Sequence, residues 1–169
     1  MFTFFKAKKI RKEKAGRLYE AILSQSRSTC FYSDHGIPDS LVGRFELVLL
    51  HAYLVWNRLQ QEGKEGALLS QAVFDAMFRD FNLSLRNIGI GDLGVPHHIK
   101  RMMKAFKGRA MSYSDAMGDK KMLRESLARN LFATVDKPKD EDVDYFVNYL
   151  SVQADYISSQ PSVNILNGN

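Results

Sequence analysis

Apolar residues along this chain recur at steps of three and four much more than at steps of two, which predicts helices and almost no strand. In residues 14–26, Ala15, Leu18, Tyr19, Ile22 and Leu23 keep helical spacing. Residues 28–40 read as a turn-rich stretch, with Asp34, Gly36, Pro38 and Asp39. A long helix should follow, with Asp39 or Ser40 as its N-cap and Gly63 as its stop. Leu41, Val42, Phe45, Leu47, Val48, Leu49, Leu50, Tyr53, Leu54, Val55, Trp56 and Leu59 cover most of its circumference, so it is expected to be central and contacted on several sides. Its polar exceptions, Arg44, His51 and Arg58, recur at one spacing and share a stripe.

A third helix is predicted over 67–81, on Leu69, Val73, Met77 and Phe81. A glycine-rich connector, 87–95, leads into Pro96, which suits a first helical turn because no intrahelical bond is lost there. That helix runs over 96–106 and on towards 113. Two more are predicted over 119–132 and 140–159, the last opening on Asp140, Glu141 and Asp142 at the positive end of its dipole. The expected fold is all-α, a single compact domain of about six helices around a central apolar helix. It would occupy 15–160, after a basic N-terminal arm, 1–14, and before a C-terminal tail, 161–169.

Composition supports a globular body: of 169 residues, 45% are hydrophobic and 25% charged, which excludes intrinsic disorder and a disulfide scaffold. The one cysteine, Cys30, cannot form an internal disulfide and suits a reducing compartment. The net charge of +5 is concentrated at the start. Lys6, Lys8, Lys9, Arg11, Lys12, Lys14 and Arg17 against Glu13 give residues 1–17 a charge of +6, which leaves −1 for the remainder. The body is therefore near neutral, unlike a uniformly basic nucleic-acid binder. The most apolar stretch, 47–57, is too short to span a bilayer, which needs about 20 such residues. At the N-terminus the apolar residues come before the charge, the reverse of a secretory signal.

The arm sets Phe2, Phe4 and Phe5 beside Lys6, Lys8 and Lys9. Aromatics next to cations suit an anionic membrane interface or a ribosome surface. A solvated end whose phenylalanines tuck onto the domain fits the same pattern, as does a remnant of a targeting sequence.

Gly89-Ile90-Gly91-Asp92-Leu93-Gly94 matches the dinucleotide-binding pattern, but that motif requires a buried strand before it and a second β–α unit after it. Neither is predicted. The expectation is a tight connector whose glycines take positive φ, with Asp92 bonding nearby amides. Beyond it His97, His98, Lys100, Arg101, Lys104, Lys107 and Arg109 occur with no acidic residue among them. With Ile99, Met102, Met103 and Phe106 as the inner stripe, the outer face should be positive over about three turns. It reads as a solvated face or as a docking surface for an acidic partner, phospholipid head groups or RNA. Met111 and Met117 are expected in an exposed apolar patch.

Catalysis finds no support. His97 and His98 are adjacent, so on a helix their rings diverge by about 100° and cannot share a metal ion. There is no H-x-x-x-H pair, no second cysteine and no serine in a nucleophile elbow. Asp140–Asp144 lacks the spacing of a calcium loop. No enzyme activity, cofactor, metal or small-molecule substrate is expected.

Two blocks of residues resemble a known family. Phe31-Tyr32, Gly36-Ile37-Pro38-Asp39, Arg44-Phe45-Glu46-Leu47 and the leucine-rich run to Trp56 look like the opening of the ubiquinol–cytochrome c chaperone domain. Phe78, Arg86, the glycine–aspartate connector to Pro96, the basic helix, Gly108-Arg109 and Tyr113 are similar to that family's second stretch. The resemblance covers about 19–156 and looks bacterial, since the chain starts almost directly at the domain. It implies an assembly chaperone, not an enzyme. Such a protein would bind a client membrane protein, cytochrome b, during biogenesis of ubiquinol–cytochrome c reductase. Its place would be the cytoplasm, peripheral at the inner membrane, or the mitochondrial matrix side in a eukaryote. By position Arg86, Asp92, Lys100, Arg101, Lys104, Arg109 and Tyr113 fall in the family's most characteristic stretch and are the candidate partner or client surface. The alternative is a ribosome- or RNA-associated binding module using the basic helix and the arm.

Overall fold

The computed structural model describes residues 2–169, with side chains from Phe5 onward. Six long helices and two short ones make up the described chain: α1 (Phe2–Ser26), α2 (Cys30–Ser33), α3 (Leu41–Leu59), α4 (Gly63–Asn87), α5 (Val95–Ala116), α6 (Lys120–Asn130), α7 (Asp140–Ser159) and α8 (Ser162–Asn167). Among the described residues there is no strand, and no helix is long and apolar enough to cross a membrane.

α3 is the axis of the body. Ser40 caps it, its Oγ accepting from the Gly43 amide at 3.1 Å. Gly43 is needed at that turn, because a Cβ there would lie 2.1 Å from the Pro38 carbonyl oxygen. On one side of α3, Val48, Leu49, Ala52 and Leu59 pack with Leu18 and Ile22 of α1 and Leu69, Val73 and Met77 of α4. On the other, Leu47, Leu50, Tyr53 and Leu54 pack with Phe31, with Ala110 and Tyr113 of α5, with α6 and with Phe146 and Leu150 of α7. A helix apolar almost all round thus separates two cores, as its pattern predicts.

The stripe on α3 does not share one environment. Arg44 is exposed and pairs with Asp39 at 2.6 Å. His51 is buried between the Leu47 carbonyl and the Tyr149 hydroxyl, each 2.7 Å away. Arg58 is buried, paired with Glu62 and donating to the Ile157 and Gln160 carbonyls. A common spacing put them on one face, but α7 and the residue after it cover only His51 and Arg58, and Arg44 is left to solvent.

Several boundaries differ from expectation. No break separates residues 2–14 from the rest of α1, which is one helix from Phe2. α4 extends past Phe81 to Asn87, because Leu85 is buried and Arg86 bonds back to Asn82 at 2.9 Å. Residues of the tail form α8, whose Ile165 is buried in the α1/α4 core. α7 spans the predicted residues, and Asp119 caps α6 by accepting from the Lys121 and Met122 amides.

Candidate functional site

Four helix ends meet without closing over one another: the last turns of α1 and α4, the first turns of α3 and the start of α5. They leave an open groove of about 560 Å³. Phe45, Val48, Phe81 and Leu85 form its floor, with Phe45 and Phe81 ring to edge at 5.4 Å. Leu41, Val42 and Ile88 stand on its lip at 63%, 44% and 57% exposure. Leu93, on the connector that follows α4, is 97% exposed. Exposed aliphatic side chains next to one concave apolar floor mark an interaction site, whereas scattered ones would not.

The polar groups of the groove are at its edge and mostly engaged. Tyr19 donates to Asp80 at 2.7 Å, and burial with that carboxylate raises its pKa. Tyr32 donates to the Ser26 carbonyl at 2.9 Å and is also raised, chiefly by burial. Asp39 is lowered by its hydrogen bond from Arg44. His98 and Met102 close the α5 side, with the His98 ring 2.7 Å from the Arg101 guanidinium. No group of metal-ligating side chains occurs among the described residues. Cys30 is half-buried, 3.2 Å from the Ser28 hydroxyl.

The residues expected to form one partner surface separate into three environments. Lys100, Arg101 and Lys104 are exposed on α5, together with Lys107. Arg86 and Asp92 pair with each other across the connector, so Asp92 binds a guanidinium and not backbone amides. There only Gly89 of the three glycines takes a positive φ, 92°, while Gly94 caps α5 at −82°. Tyr113 belongs to the interior, and Arg109, its side chain 24% exposed, turns towards it. Arg109 grips the carboxylate of Glu46, which is 4% exposed, through Nε at 3.0 Å and Nη2 at 2.6 Å. Tyr113 is fully buried, and burial raises its pKa strongly. Lys107 is thus the last cation of the positive face of α5 that stands exposed, since Arg109 is held by Glu46.

The methionines divide differently from expectation as well. Met103 is exposed with Met111, whereas Met102 is half-buried and Met117 packs on the core. At the N-terminus Phe5 is exposed, as are Lys6, Lys8 and Lys9, while the side chains of Phe2 and Phe4 lie outside the described residues. The groove lip itself was missed by sequence reasoning, which counted Leu41 and Val42 among the covered positions of α3.

The family model described as ubiquinol–cytochrome C chaperone matches residues 33–169, which include α3 to α8. The chain belongs to that family. Relatives named ubiquinol–cytochrome c reductase complex assembly factor 1 include a frog protein, from Xenopus laevis, 22% identical over 152 residues. That match takes in 89% of this chaperone-family chain and 75% of the frog protein. The Drosophila melanogaster relative is 24% identical over 85% of this chain and 58% of its own length, and the human one 23% over 89% and 50%. The chain thus spans about half the length of the human relative. The crystal structure of the Cbp3 homolog from Brucella abortus superposes with a TM-score of 0.86 at 29% identity, over 99% of this chain and 92% of that one.

Proposed function

We propose that this member of a complex III assembly chaperone family works without catalysis, holding a client polypeptide by burying its apolar surface in the groove between α1, α3, α4 and α5. The client is cytochrome b, and the work is done at the inner membrane surface. The observation that carries the reading is the groove lip. Leu41, Val42 and Ile88 are all more than 40% exposed beside a ready-made apolar floor. Covering an aliphatic side chain fully contributes about 1.5–3 kcal/mol, so three partly exposed ones and the floor suffice for reversible capture. A chaperone must release its client, and a shallow open groove suits that need.

At the other end of α1, Phe5, Lys8 and Lys9 lie on one side of the helix, since steps of three and four share a face. Together with Lys6, and with Phe2 and Phe4 by sequence, they fit an anionic membrane surface, where each cation adds about 1 kcal/mol. The alternative of an RNA- or ribosome-associated module gains no support from the relatives' names.

The test is complementation. Cells lacking the gene should show low complex III activity, restored by the wild-type gene but not by Val42→Asp with Ile88→Asp. Normal complex III in the deleted strain would contradict the assembly role. Full restoration by the double variant would contradict the groove.

A further inference from the structure

The groove between α1, α3, α4 and α5 carries charge as well as apolar surface, and that charge is unevenly answered. Four ionic side chains line it: Arg27, Asp39, Arg44 and Asp80. Asp39 and Arg44 pair with each other at 2.6 Å. Asp80 is half-buried and accepts from the Tyr19 hydroxyl at 2.7 Å. Arg27 is exposed just beyond the last turn of α1, and among the described residues no carboxylate pairs with it. Its charge is nevertheless felt inside the groove, where it opposes the burial that raises Tyr19 and Tyr32.

On the α5 side the sign is the same. There the ring of His98 lines the groove with the Arg101 guanidinium 2.7 Å from it. A basic side chain entering the groove would find both carboxylates already engaged, Asp39 by Arg44 and Asp80 by Tyr19. An acidic one would find Arg27 free. A site for a small molecule encloses most of its ligand, whereas this groove is open along its lip, so its occupant is the ridge of a larger body.

We infer that Arg27 is a specificity-determining residue of the client groove: it selects a client segment whose apolar helical ridge ends in a glutamate or aspartate, and disfavours one that ends in a lysine or arginine. The inference rests on the groove being the place where the client is held. A helix laid in a groove presents its anchors every three or four residues, and a carboxylate one turn beyond the last anchor comes over the edge to the guanidinium. The planar fork of an arginine meets both oxygens of a carboxylate at once. Charge at the rim of an apolar contact decides which partner is accepted more than how tightly it is held. A cation directly after α1 also suits the negative end of that helix, but this role is indifferent to the sequence of the client.

The probes are three synthetic helical peptides of roughly 18 residues, long enough to hold helix. Each has one leucine ridge and an uncharged second face, and they differ only at the two ends of the ridge, which carry glutamate, glutamine or lysine. Fluorescence anisotropy of the labelled peptides, titrated with the full chain, gives Kd. The glutamate peptide should bind about threefold more tightly than the glutamine one and about tenfold more tightly than the lysine one, with both differences shrinking as salt is added. Arg27→Glu should reverse the order and Arg27→Lys should keep it, circular dichroism establishing that each variant is folded. Val42→Asp with Ile88→Asp should weaken all three peptides alike, because it spoils the apolar contact and not the choice of sign. Equal binding of the three peptides, a preference for lysine, or an order that survives Arg27→Glu overturns the inference while leaving the groove as the client site. Failure of all three to bind, or undiminished binding to Val42→Asp with Ile88→Asp, overturns the groove as the client site and the inference with it.

Discussion

Arg109 is in the stretch most characteristic of the family resemblance, yet the structure turns it inward, and its removal should be felt as lost stability. Glu46 is held by two parallel bonds from the Arg109 guanidinium, and its side chain is 4% exposed. Such bidentate pairs are among the stronger polar contacts, but their removal costs more than the contact itself. Arg109→Ala would leave a carboxylate buried beside the fully buried Tyr113, and breaking a buried pair on one side costs about 3–5 kcal/mol. A domain of this kind has about 5–15 kcal/mol in total, so the variant should lose a large share of it and melt roughly 10 °C lower. Urea and thermal unfolding followed by circular dichroism measure this directly. Combining Arg109→Met with Glu46→Gln removes both charges and should recover much of the loss. Unfolding of Arg109→Ala within about 0.5 kcal/mol of wild type, the scale of an ordinary surface change, would mean that Glu46 does not depend on Arg109. Loss of client binding at unchanged stability would place Arg109 in the client surface after all.

Other outcomes follow from the same geometry. Burial lowers the pKa of His51 from 6.5 to about 4, so the unfolded chain binds a proton in that interval that the folded chain does not. Its contribution is therefore complete above pH 6.5 and falls by about 3 kcal/mol as the pH drops to 4. His51→Gln should flatten the difference in stability between pH 7 and 4.5, and an identical pH profile in the variant would show that the imidazole is not shielded. Gly43→Ala forces a Cβ against the Pro38 carbonyl and disturbs the Ser40 cap. Overpacking and a lost cap together should cost about 2–3 kcal/mol in urea unfolding, and wild-type stability would mean that the turn before α3 yields easily.

Much of the fold was legible because helix signals are local. α3 could be read from its encircling apolar positions and its Ser40 cap, α6 from Asp119, and α7 from its three leading acids. α4 was read too short because Asn82, Ser84 and Asn87 favour caps and turns, a preference overridden by the burial of Leu85. α8 was not legible at all, since it is held by distant groups, Ile165 in the α1/α4 core and Arg17 reaching the Asn167 carbonyl. The site was harder for the same reason. Arg109 looked like part of a positive face because its partner, Glu46, is 63 residues earlier. Leu41 and Val42 looked like core because nothing local says which part of a helix its neighbours leave uncovered. A groove made by four helix ends has no signature in any one of them.

The proposed capture of newly made cytochrome b in the groove between α1, α3, α4 and α5 can be caught by placing a photo-crosslinking amino acid at Val42 in living cells. Ultraviolet exposure should link the chain to newly synthesised cytochrome b, while the same group at Val152, an exposed position on α7, should not. A strong cytochrome b adduct from Val152 with none from Val42 would mean that the client sits elsewhere than the groove.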